Sequence, residues 1–83
     1  MGTVSGLGQR LELRREAGGV RHYLGGEPVH AGDKLEVWRE GAWLCGRYEW
    51  NARQEPTPAL YLSEEQAVWL TPEDLLRWPG RCA

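Results

Sequence analysis

Phenylalanine is missing from this chain, and methionine and lysine occur once each. The aromatic load falls instead on five Trp and three Tyr. Each large ring can bury about 150–250 Å², so a few rings must stand in for many aliphatic side chains. No apolar run approaches the roughly 18–20 residues of a membrane-spanning helix. Met1 to Gly8 lacks a basic segment followed by a hydrophobic one. That absence argues against a secretory signal, and a cytoplasmic location is the expectation. Charge of one sign is lacking too: the formal net charge is −2, which gives no global pull toward nucleic acid or anionic lipid. Nine of the ten basic residues are Arg, a group suited to planar, bidentate contacts.

Cysteine is scarce, at positions 45 and 82. Two isolated cysteines in a chain of this kind are expected to be free thiols. His22 and His30 are eight residues apart with no cysteine pair nearby, so no zinc site is expected. Gly6-Leu7-Gly8 follows no strand and opens no helix, which excludes a phosphate loop. Cys45 falls in mid-strand rather than at a helix start, where a catalytic thiol would be activated. Glu64-Glu65 and Glu73-Asp74 are neighbours whose side chains diverge, unlike the fixed pair of a carboxylate mechanism. The expectation is no enzyme and no cofactor.

What is present is alternation. The 83 residues make one domain, expected over 9–79, with residues 1–8 flexible and 80–83 a tail. Gln9 to Glu16 and Val20 to Leu24 alternate as two strands around Ala17-Gly18-Gly19. Gly25-Gly26 is a further turn, and Pro28 marks an irregular or edge segment. Asp33 to Trp50 reads as a central hairpin, with Leu35 and Val37 on one face of its first strand and Glu36 and Trp38 on the other. Two turns fit it. A two-residue turn at Glu40-Gly41 sets Trp38 across from Trp43, and a three-residue turn with Gly41 as a bulge sets Val37 there instead. Ala59–Leu62 and Ala67–Leu70 form another hairpin. Thr71, Pro72 and Asp74 carry a helix-start signature, so one helical or 3₁₀ turn is expected before a last short strand at Arg77-Trp78.

This pattern predicts an all-β fold of five to seven short strands. The segments Gly32-Asp33-Lys34-Leu35-Glu36-Val37 and Gly41-Ala42-Trp43-Leu44-Cys45-Gly46-Arg47-Tyr48 resemble the central hairpin of SH3-like barrels, above all Tudor and Agenet-type domains. Small bacterial domains share the same layout of a Gly-Asp pair, a strand and a Trp. The resemblance implies a small SH3-like open β-barrel. In such families the Trp after the hairpin loop often lines a ligand groove, and that position is Trp43 here. A Tudor-type methyl-lysine cage would draw its rings from Trp38, Trp43, Tyr61 and Trp69, and its acid from Glu36 or Glu40. The segment between Gly25 and Gly32 holds no Tyr-rich motif, which argues against PxxP recognition.

The function expected from these features is a non-enzymatic module that binds a protein or peptide through Trp38, Trp43, Tyr61, Trp69, Glu36 and Glu40. Interface hot spots are enriched in such aromatics. One alternative is nucleic-acid binding through Arg10, Arg14, Arg15 and Arg21, where residues 1–31 hold four basic side chains against three acidic ones. A further alternative is an oligomerising or accessory domain, for example a homodimer formed by exposed strand edges. No membrane partner is expected.

Overall fold

The computed structural model of the chain describes residues 8–80. Three strands form one antiparallel sheet: β1 (Glu12–Glu16), β2 (Gly19–Leu24) and β3 (Glu27–Pro28), in that order. The β2–β3 turn is Gly25-Gly26, with φ of 63° and 87°. A two-residue turn with both central φ values positive matches the twist of its flanking strands, and glycine enters it without steric cost. Pro28 lies on the edge strand β3, where its missing N–H costs no ladder bond.

The second sheet has five strands: β4 (Lys34–Arg39), β5 (Ala42–Glu49), β6 (Ala59–Tyr61), β7 (Ala67–Trp69) and β8 (Leu76–Arg77). Their order is β7-β6-β5-β4-β8, and each neighbouring pair is antiparallel. Arg39 pairs with Ala42 and Trp38 with Trp43. The central turn is therefore the two-residue one, at Glu40 (φ 53°) and Gly41 (φ 84°). Eight strands occur among the described residues, and the one beyond the five to seven expected is Glu27–Pro28, which pairs over only two residues. The last strand is Leu76–Arg77 rather than Arg77-Trp78. The backbone of Leu76 exchanges two 2.7 Å hydrogen bonds with Gln9 and stands opposite Val37. Trp78 is free of the ladder and donates its Nε1–H to the Leu24 carbonyl at 3.0 Å.

Alternation becomes burial along β4 and β5. Leu35, Val37 and Tyr48 face inward and are buried with Leu24, Val29, Leu60, Leu70 and Leu76. Gly46 is buried because β6 crosses it closely: a Cβ there would stand 2.7 Å from the Tyr61 carbonyl oxygen. The sheet is curled. In a flat sheet β4 and β7, three strands apart, would be separated by roughly 14 Å. Yet the Arg39 guanidinium on β4 donates to the Trp69 carbonyl at the end of β7, at 2.7 Å. Among the described residues the result is two antiparallel sheets and no closed barrel, since β7 and β8 remain edges.

Three expectations are corrected. No helix occurs among the described residues, and Thr71–Asp74 is a hydrogen-bonded turn, not a helical or 3₁₀ one. The cause is Asp74, whose carboxylate turns back to the Thr71 N–H and hydroxyl and is held by Arg39, while Leu76 is claimed by strand pairing. Cys45 is half of a disulfide and not a free thiol; Cys82 lies outside the described residues. Gly8, expected in the flexible segment, is buried against Trp43, whose Cη2 would stand 2.7 Å from a Cβ at this position. The rest of that segment and all but Gly80 of the tail lie outside the described residues. No helix is long and apolar enough to cross a membrane among the residues described.

Candidate functional site

The candidate residues are brought to one surface by strand parity. Leu35 and Val37 point to the core, so Glu36 and Trp38 point out. Trp38 is paired with Trp43, Arg47 with Tyr61, and Ala59 with Trp69. Trp43 and Arg47 share a face of β5, and Ala59 and Tyr61 share a face of β6. Glu36, Trp38, Trp43, Tyr61 and Trp69 therefore all stand on the outer face of the five-stranded sheet. Trp69 is 56% exposed, Trp38 43% and Tyr61 39%.

Trp38 and Trp43 meet edge to face, with ring centroids 5.3 Å apart and planes at 61°. Aromatic pairs prefer this geometry, and it fixes both rings across the hairpin. The Trp43 ring is otherwise covered. The Arg77 guanidinium lies over it at 4.0 Å, and Gly8 packs against its outer edge. Trp43 thus supports the surface while Trp38 presents it. Glu36 is not a free acid, because Arg77 donates to it at 2.6 Å. Glu40 sits exposed in the turn. Tyr61 meets Arg47 at 5.4 Å, and no other aromatic ring contacts Tyr61 or Trp69 among the described residues. The four rings share a face without closing into a cage.

One residue that the sequence did not single out ties this face together. Arg39 donates from Nε and Nη2 to Asp74, each at 2.9 Å, and from Nη2 to the Trp69 carbonyl. Burial alone would push the Asp74 carboxyl up. Arg39 and Thr71 outweigh that and hold it below the usual carboxylate range. The Trp69 backbone is thereby anchored to the strand that carries Trp38. Only a spacing of 35 residues links Arg39 to Asp74 in the chain, so nothing local could have revealed the pair.

The arginines of the N-terminal hairpin are mostly engaged. Arg10 bridges Glu73 at 3.3 Å, Arg14 bridges Glu12 at 3.1 Å, and Arg21 bridges Glu16 at 3.0 Å. Arg14 also lies over the Tyr23 ring at 4.1 Å. The Tyr23 hydroxyl and Arg21 both donate to Glu16 and hold its carboxyl below the ordinary range. Arg15 has no such partner among the described residues. Three of the four cations thus have a carboxylate beside them, which lowers the positive potential this hairpin presents.

A second feature lies between the sheets. His22 shares a 2.8 Å hydrogen bond with the Tyr48 hydroxyl and packs against Trp50, with centroids 4.4 Å apart. Burial pushes the His22 pKa down and the Tyr48 pKa up. A shallow groove of about 190 Å³ runs past Leu13, His22, Trp50, Pro56 and Pro72. It is smaller than the roughly 300–1,000 Å³ of small-molecule pockets. Comparison with known protein families, with curated proteins and with solved structures found no match.

Proposed function

We propose that this chain is a non-enzymatic binding module whose outer sheet face, centred on Trp38, recognises a protein or peptide. The carrying observation is a 43% exposed indole held against Trp43, which is itself fixed beneath Arg77. A rigid, half-exposed Trp loses little freedom when a partner covers it, and such residues dominate interface energetics. Trp69, anchored by Arg39, and Tyr61, beside Arg47, extend the same face. The curled meander, the Trp38–Trp43 hairpin and the short terminal strand also support kinship with SH3-like open barrels. Arginines with carboxylates beside them make nucleic-acid binding the weaker reading.

The test is selection of a displayed random-peptide library on the native chain. Trp38→Ala is the comparison, and circular dichroism confirms that it folds. Peptides should be enriched on the native chain and lose at least about tenfold in affinity for Trp38→Ala, as hot-spot truncation does. Amide shifts on titration should map to the outer faces of β4 and β5. Failure to enrich any peptide, or equal binding by both proteins, rejects the reading.

A further inference from the structure

We propose that the free edge of β1 pairs antiparallel with β1 of a second copy of this chain, on a two-fold axis through Leu13. Among the strands that end a sheet, β1 is the longest, with five residues against three in β7 and two each in β3 and β8. The phase of the ladder shows which of its backbone groups face outward. The Val29 N–H donates to the His22 carbonyl at 2.9 Å, so His22 directs its backbone groups to the β3 side. Leu13 stands opposite His22 on the other side. That pair is therefore a non-hydrogen-bonded one, and the N–H and C=O of Leu13 point away from β2. Those of Arg15 point the same way. An added antiparallel copy must present the same outward residues in return. The Gln9 backbone is already bonded to Leu76, which closes a register centred on Leu11, and one centred on Arg15 sets that arginine against itself. Registers centred on Glu12, Leu13 or Arg14 are left.

Side-chain charge chooses among the three. Arg10, Glu12, Arg14 and Glu16 alternate in sign along one face of the strand. Centring on Leu13 sets Glu12 against the second copy's Arg14, Arg14 against its Glu12, and Arg10 against its Glu16. Centring on Arg14 sets that residue against itself and Glu12 against Glu16. Centring on Glu12 sets it against itself and Arg10 against Arg14. Like charges directly opposite one another destabilise a sheet. The Leu13 register also brings together two leucines that are 56% exposed in the single chain. The bond that joins Glu12 to Arg14 within one strand involves side chains 61% and 44% exposed. Such a pair contributes little and exchanges readily. Across the axis the same two residues occupy a non-hydrogen-bonded position, where side chains approach more closely. The product is a continuous sheet with three strands from each copy, and it leaves both Trp38 faces open for bivalent binding.

Sedimentation velocity over about a hundredfold range of concentration tests this. The native chain should pass from monomer to dimer. Glu12→Arg and Arg14→Glu alone should each weaken the dimer about tenfold, because each sets like charges opposite one another twice. The double exchange, Glu12→Arg with Arg14→Glu, should restore it. Leu13→Pro removes an outward N–H that β2 does not use, so it should keep the fold and abolish the dimer. If the charge variants fail to fold, Leu13→Pro decides. A native chain that stays monomeric throughout overturns the proposal, as does a dimer indifferent to the single reversals and to Leu13→Pro.

Discussion

Glu40 is the residue at which local conformation and candidate function conflict. It adopts φ of 53° with a side chain that has no steric right to that region. The two-residue turn demands it, since both central positions need positive φ. Asparagine tolerates this conformation better than glutamate. Glu40→Asn should therefore stabilise the fold by about 0.5–1 kcal/mol, read as a higher midpoint of denaturant unfolding with an unchanged slope. A destabilised variant would mean that Glu40 contributes a contact that outweighs its strain. If the same variant also weakens peptide capture, the strain is retained for binding. His22 makes a second test at this scale. Its pKa is lowered by burial, so the folded chain binds fewer protons than the unfolded one below the ordinary histidine value of about 6.5. Stability is then full above that value and falls as pH drops from it toward the lowered folded value. His22→Gln should flatten that slope in pH-dependent thermal melts.

At the scale of elements, the Arg39–Asp74 contact joins three pieces that the sheet ladder does not. It connects the end of β4, the end of β7 and the Thr71 turn. The Asp74 side chain is 11% exposed and that of Arg39 31%, so removing one partner strands a poorly solvated charge. Asp74→Ala should cost roughly 2–3 kcal/mol, below the 3–5 kcal/mol of a fully buried pair. Because the Asp74 pKa is held down, its contribution is present above the ordinary carboxylate range and is lost as pH falls through the lower folded value. Acid unfolding of Asp74→Ala should accordingly show a shallower pH dependence there than the native chain.

Elements also differ in how far the sequence reveals them. The β4–β5 hairpin was legible because its period of two runs without interruption on both sides of a glycine. Its turn type was not, since Glu-Gly is a poorer signal than Asn-Gly and the choice is made by pairing across strands. The Thr71 motif misled for a related reason: a capping side chain satisfies a turn as well as a helix start. All four aromatic candidates do share one face, as parity allowed, but closure into a cage depends on sheet curvature. The contact that spans the curled sheet, Arg39 with Asp74 and the Trp69 carbonyl, joins residues far apart in sequence. Leu13 alternates with charged neighbours along β1, yet the core ends before it and leaves it 56% exposed.

For the whole molecule, the decisive fact is a thin core. Among the described residues six large side chains are fully buried, none of them aromatic, and a chain of this size hides only about 60–65% of its unfolded surface. In such a protein one covalent link is a large share of the total. Disulfides typically contribute about 2–4 kcal/mol, against a net stability that is often near 5 kcal/mol for small domains. Reduction of the Cys45 disulfide should therefore lower Tm by at least about 8 °C, given about 4–8 °C per kcal/mol at this length. Cys45→Ser should melt at the lower temperature with or without reductant. A native chain whose Tm ignores reductant, with Cys45 open to alkylation before reduction, would mean that no such bond holds the fold. Protection of Cys45 until reductant is added would show the bond intact and make it part of how so small a core holds its shape.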